Sequence, residues 1–448
     1  MRLRSRLKAI PAIIYTALLI LVCASGPFHE APSDVKPLIG SAAAAEVTLS
    51  CGTYPVETTE LTAVIQSEDV PKLDGLSYLT RADFSGSSCW KEIAEWGAAH
   101  PLLELKYTVA LPDGTVLDNS AAELDLSSLG HAAAAETAEA LSCLPAVTHI
   151  NLGAQGTGSD ALTASDLRAI HEACPNAELD YRFTLYGHEI NLNDSALDFR
   201  GTEISDEAAA LNEVLPLMLR CSYLDMDNTG VSNEALAKIR GEFPNIDVVW
   251  RVWFGTNYSV RTDVERILAS KPTVGGMIYD ASVLQYCTKV KYLDIGHNDE
   301  LPSIDFARSM PELEVLIIAM TAVTDISPLE SCPKLEYLEI NSTNISDISP
   351  LKNSTGLHHL NIACCPEITD ISPLYGLTAL ERLWIGSQTP VPAEQVSAMK
   401  AAVPGCTINT TAYDPHDGAW RYTRYDPEIP KYYWVPRYEL LRNQLGYN

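Results

Sequence analysis

Three stretches near the C-terminal end of the chain repeat one phrase in register. Residues 313–326 read LEVLIIAMTAVTDI, 335–348 read LEYLEINSTNISDI and 357–371 read LHHLNIACCPEITDI, each followed by Ser-Pro-Leu. Leu313, Leu335 and Leu357 open the copies at equal intervals, and Leu380 opens the next after an interval longer by one. A short fixed period specifies a solenoid, because a short amphipathic strand cannot bury its apolar face alone and must stack on copies of itself. In L-x-x-L-x-I/L the Leu and Ile side chains face one way and the intervening ones the other. The ninth position holds Asn298, Thr321, Thr343, Cys365 and Gln388. There a small polar side chain can bond the buried backbone of the turn. Val323, Ile345 and Ile368 then return to the core. In the Asp-Ile-Ser-Pro-Leu that follows, Asp and Ser suit a turn or cap and Pro suits a first helical turn.

These residues resemble the leucine-rich repeat family, specifically the internalin-type bacterial repeat with its D-I-S-P-L segment. The close match covers roughly residues 290–411, through strands beginning VKYLDI, LEVLII, LEYLEI, LHHLNI and LERLWI. The resemblance implies an α/β solenoid with a curved parallel sheet on the concave side, helices and turns on the convex side, and a protein-interaction role. Asn fills the ninth slot only at Asn298, so the usual asparagine ladder is mostly replaced.

A longer repeat precedes it. Pro101, Pro175 and Pro244 recur at similar wide intervals, and alternate residues after each are apolar. The sets are Leu105, Tyr107, Val109, Leu111; Leu179, Tyr181, Phe183, Leu185; and Val248, Trp250, Val252, Phe254. Strict period two predicts a half-buried strand, and the glycine that follows each (Gly114, Gly187, Gly255) predicts a hairpin. Between the hairpins lie diverged leucine-rich units such as ALDFRGTEIS and YLDMDNTGVS, followed by helical stretches such as NEALAKIRGEFP. The expected organisation is a signal peptide or N-terminal anchor over 1–24, a linker over 25–50, diverged units with three hairpin insertions over 51–265, regular repeats over 266–411 and an aromatic tail over 412–448.

The N-terminal MRLRSRLK, an apolar run and small residues read as a secretory signal. The expected location is therefore secreted or at the bacterial cell surface, with membrane contact only through this segment if it is uncleaved. Beyond Cys23, ten cysteines stand at wide spacings without a C-x-x-C pair. Several, such as Cys174, Cys332 and Cys365, occupy recurrent repeat slots, and the cysteines read as buried thiols packing as small apolar groups. Cys51 and Cys89 are the best placed for a disulfide. The tail, with Trp420, Tyr422, Tyr425, Tyr432, Tyr433, Trp434, Tyr438 and Tyr447, reads as a cap over the last repeat or as an aromatic platform for sugars.

With 31 basic and 58 acidic residues the net charge is −27, which argues against nucleic acid. No G-x-S-x-G, H-E-x-x-H or phosphate-binding loop is present, so no catalytic, metal or cofactor site is expected. Function is expected on the concave face, read by column. The third column holds Tyr292, Tyr337, His359 and Arg382, and the fifth holds Asp294, Glu339, Asn361 and Trp384. Tyr, Trp and Arg are enriched in binding hot spots. These eight are the candidate residues for a protein or glycan ligand. Upstream the fifth column is acidic (Asp83, Asp125, Asp198, Asp225). At about 4.8 Å between strands, Asp198 and Asp225 would repel and one would titrate high, which motivates an alternative Ca2+ or basic-peptide site. A structural cell-envelope component is the other alternative. His358 and His359, adjacent on a strand, are expected to diverge.

Overall fold

The computed structural model describes residues 45–155, 160–255, 257–413, 420–426 and 431–434, with Glu428, Glu439 and Asn443. The signal-peptide reading of residues 1–24 lies outside them. The regular repeats build a parallel sheet of seven short strands in sequence order. These are Arg266–Leu268, Tyr292–Asp294, Val315–Ile317, Tyr337–Glu339, His359–Asn361, Arg382–Trp384 and Thr407–Asn409. Register is unshifted, so equivalent positions stack: Tyr292 on Val315, Val315 on Tyr337, Tyr337 on His359. The fourth and sixth positions of each repeat, from Leu293 and Ile295 to Leu383 and Ile385, are essentially inaccessible. Each such Leu or Ile contributes about 1.5–3 kcal/mol relative to exposure, which is what makes the stack cohesive.

Repeat length sets what forms on the convex side. The shortest repeats leave room for one 3-10 turn, as at Ser327–Ser331 and Ser349–Asn353. The Asp-Ile-Ser-Pro-Leu segment starts it: Asp325 Oδ1 accepts from the Ser327 N–H at 2.7 Å, and Asp347 repeats the bond with Ser349. Where the interval between strands is longer, from Arg382 to Thr407, the added residues make a full helix, Ala393–Ala402. The same applies upstream, where helices span His131–Leu141, Ala164–Ala173 and Asn233–Glu242. Thr163 and Asp166 form a reciprocal capping box on the second, and Ser232 caps the third.

The three expected hairpins are present, pairing Thr108–Ala110 with Val116–Asp118, Glu178–Leu185 with His188–Asn191, and Arg251–Phe254 with Tyr258–Arg261. Gly114, Gly187 and Gly255 all have positive φ at the turns. At the second, Tyr186 and Gly187 are both left-handed between the paired Leu185 and His188, the two-residue turn that matches strand twist. Each hairpin leaves the end of a three-strand parallel run and splits the sheet into sections. One apolar core nevertheless runs from Leu49 to Val403. The linker boundary moves: Glu46–Leu49 pairs with Gly52–Pro55, and Ser50 donates to the buried Asp69, so residues 46–50 belong to the folded body.

The ninth-position column does the expected work with one correction. Asn298 Nδ2 donates to the carbonyls of Ile295, Ala269 and Gly296, and Oδ1 accepts from the Ile278 N–H. Thr321 and Thr343 each bond the carbonyl three residues back. In the last repeat Gln388 is exposed and points to the Tyr413 carbonyl, while Thr389 takes the slot and bonds the Ile362 carbonyl. The turn after Ile385, with its left-handed residue at Gly386, holds one more residue before the slot. The residue before the slot is left-handed in four turns (His297, Met320, Ser342, Cys364) although none is glycine. The fixed carbonyl bonds beside it hold this costly conformation.

The disulfide expectation is also corrected. Cys51 is exposed and unbridged, and the Cys89 thiol is buried and donates to the Ile65 carbonyl at 3.4 Å. Cys174, Cys287, Cys332 and Cys365 are buried free thiols, as expected. Asn298→Ala is expected to cost about 3 kcal/mol in urea unfolding, because it strands buried backbone groups. Gln388→Ala should stay within about 0.5 kcal/mol.

Candidate functional site

The strand columns predicted to face an open groove are closed over. Tyr292, Tyr337, Glu339, His359, Asn361 and Trp384 are all buried, and Asp294 and Arg382 are half-buried. The expectation of an exposed binding surface at these eight residues is therefore corrected. The face is covered from within the chain. Trp420 seats on it at 1% exposure, with ring centroids 5.7 Å from Tyr337, 5.8 Å from His359 and 5.3 Å from Trp384. The Arg382 guanidinium lies 4.4 Å from the Trp384 ring and 5.9 Å from that of Trp420. Val315, Ile317 and Ala319 complete the apolar floor.

Glu339 is the centre of this arrangement. Its carboxylate is fully buried and accepts four donors: Arg421 Nε at 2.7 Å, Arg421 Nη2 at 2.5 Å, Trp420 Nε1 at 2.8 Å and the Tyr337 hydroxyl. Burial alone would push the carboxyl up. The charge of Arg421 and the hydrogen bonds from Arg421, Tyr337 and Trp420 outweigh it and hold the group below its usual range. Two-point pairing of this kind selects a guanidinium over an ammonium. Two turns away, burial pushes Asp294 up, offset in part by the Gly296 N–H.

Of the tail aromatics, Trp420 packs on the concave face. The backbone of Tyr422–Asp426 pairs with Lys431–Trp434 as a hairpin. The side chains of Tyr422, Tyr425, Tyr432, Tyr433 and Trp434, together with Tyr438 and Tyr447, lie outside the described residues.

The acidic column is local structure. At eight fifth positions a carboxylate or amide oxygen accepts from the N–H two residues on: Asp83, Asp125, Asn151, Asp198, Asp225, Asp294, Asn361 and Asn409. Each bond turns the chain off the strand end. Glu339 has one more methylene and reaches Arg421 instead. Asp198 and Asp225 do not form a cation stripe. Arg200 grips Asp198 with two nitrogens at 2.9 and 2.6 Å, and Arg261 lies 3.0 Å from Asp225 and 3.3 Å from Asp227. Hydrogen bonds from the Arg200 side chain and backbone bring Asp198 down to about 2, opposite to the rise expected from repulsion. The Asp225–Gly230 segment is a repeat turn, with Asp227 paired to Arg251 at 2.9 Å. His358 and His359 both reach the Glu381 carboxylate, at 3.1 and 3.5 Å, so the expected divergence does not hold.

Two consecutive turns of the seven-strand sheet, residues 311–353, match the profile of the family described as Leucine Rich repeats (2 copies). Those residues are leucine-rich repeats, and the parallel strands stacked on either side of them continue the same fold. No curated protein matches this chain. Among solved structures it is similar to an internalin, InlF, from Listeria monocytogenes, at 18% identity over 81% of this chain and 85% of that one, TM-score 0.31. It is also similar to internalin C2 from the same organism, at 17% identity over 64% and 96%, TM-score 0.29. A leucine-rich repeat protein of Leptospira interrogans shares 12% identity over 75% and 91%, TM-score 0.31.

The sequence columns contain Glu339 but not its partner. The available signal was a lone glutamate flanked in its column by Ile317 and Asn361, which calls for a cation from elsewhere. Arg421→Ala is expected to destabilise the folded chain by about 3–5 kcal/mol, because it leaves a buried carboxylate uncompensated. Arg421→Ala with Glu339→Leu should recover much of that loss. The Glu339 pKa is lower folded than unfolded, so its contribution is complete above about pH 5 and is lost as pH falls below 4.5 through the depressed value. Limited proteolysis of residues 414–448 across pH 3–7 should follow this profile in the wild type and lose it in the double variant.

Proposed function

We propose that this leucine-rich repeat protein recognises a protein partner by holding a polypeptide segment in the concave cradle of its C-terminal repeats. The supporting observation is the fourfold grip of Glu339 on Arg421, Trp420 and Tyr337, at the centre of a face that already carries a peptide segment. Aromatic anchors around a desolvated ion pair are the features that concentrate binding energy in protein interfaces. A polypeptide is favoured over a glycan because Trp384 and Trp420, the rings a sugar would stack on, are pressed against each other and buried. Basic and aromatic segments also suit a chain of net charge −27. Secretion, with the N-terminal segment as signal or anchor, is part of this proposal. Among the described residues no helix is long and apolar enough to cross a membrane.

Peptide display on the full chain carrying Trp420→Ala and Arg421→Ala tests the reading. Selected sequences are expected to enrich over rounds and to lose binding when His359→Ala is added. A selection that enriches nothing, or only sequences indifferent to His359, overturns it.

A further inference from the structure

The cradle contains one polar group that its present occupant leaves unanswered. Asn341 lies two residues past the end of the Glu339 strand, in the column of Ala319, which belongs to the same buried cluster as Trp420. It is 1% exposed, and neither its amide nitrogen nor its oxygen has a hydrogen-bond partner among the described residues. It stacks between small residues, Ala319 and Ala363, both also buried. A buried carboxamide left without partners is destabilising, because it has given up its hydrogen bonds to water. The other contacts match the occupant: the Arg421 fork fits Glu339, and the Trp420 ring packs against Tyr337, His359 and Trp384.

We infer that the cradle recognises a partner segment in which an aromatic residue is followed directly by arginine and flanked by a group that both donates to and accepts from Asn341, and that Trp420–Arg421 is an in-chain competitor for that segment. This rests on the proposed peptide-recognition function and specifies its ligand. The competitor matches the site in its aromatic and cationic parts and falls short at the amide. A segment with the same two residues and a flanking Asn, Gln or Ser gains the missing hydrogen bonds and displaces it. The in-chain Trp420 packs against Tyr337, His359 and Trp384 and keeps them out of water until then. Displacement is favoured only by a ligand that beats the local concentration of a tethered segment, which for short linkers is in the millimolar range.

The test uses the full chain throughout, with fluorescence anisotropy of labelled synthetic peptides. A peptide of residues 417–426 is expected to bind the Trp420→Ala/Arg421→Ala protein saturably and the wild type at least tenfold more weakly. Replacing its arginine by lysine should weaken binding at least tenfold, since an ammonium cannot make the two-point contact. In a set with Trp-Arg fixed, members with flanking Asn, Gln or Ser should bind at least threefold tighter than their alanine counterparts. That advantage should vanish in protein that also carries Asn341→Ala. Equal binding of the Lys and Arg peptides, or an amide advantage that survives Asn341→Ala, overturns the inference. Circular dichroism of each variant separates loss of binding from loss of fold. Should display enrich His359-dependent sequences without an aromatic–arginine pair, the recognition function stands and this ligand assignment fails.

Discussion

A three-residue strand has two open edges and an apolar face, and none of these is stable in water. Stacking in unshifted register solves all three at once, and every other feature of the molecule follows from keeping that register. Side chains in the ninth column exist to satisfy the backbone carbonyls that each turn exposes to the core. Fifth-column Asp and Asn residues satisfy the N–H groups where the chain leaves the strand. The convex side absorbs differences in repeat length, as one 3-10 turn or a full helix, without disturbing the strands. Even the hairpins leave the core continuous, because they depart from the ends of three-strand runs.

The stacking rule leaves the third column, and the fifth at Ile317, Glu339 and Trp384, free of that backbone duty, and that freedom is what the chain uses. In the C-terminal repeats these columns hold Tyr, Trp, His and a single Glu. Such a surface would be costly to expose. It is covered by Trp420 and Arg421, with a charge pair at the middle of an otherwise apolar contact. A buried ion pair adds little net stability compared with a hydrophobic contact of the same size. Its value is selectivity: it fixes which residue can occupy the place and in what orientation. In the upstream repeats the charges are settled differently. Arg200 pairs with Asp198, and Arg251 and Arg261 reach Asp225 and Asp227 from the hairpin that follows.

The repeat phrase was enough to place the strands, the Asp-Ile-Ser-Pro-Leu turns and the three hairpins, because each rests on local periodicity or on a glycine at a positive φ. The alternate apolar sets confirm this: Tyr107, Val109 and Leu111, then Tyr181, Phe183 and Leu185, then Trp250, Val252 and Phe254 are all buried. Periodicity alone misplaces Gln388, because one more residue in a turn leaves the hydrophobic letters unchanged. It misjudged the exposure of Tyr337 and Trp384, and the pairing of Cys51 with Cys89, because both depend on what comes near from distant parts of the chain.

The sequence by itself therefore determined the solenoid: its period, its buried letters and its bonding residues, all of which act between neighbours in the repeat. Only the tertiary structure decided that the concave face is occupied. Glu339 and Arg421 are separated by 82 residues, and no periodic pattern links them. What joins them is the cost of leaving a carboxylate in an apolar column without a counter-charge, a requirement the sequence states but does not say how it is met.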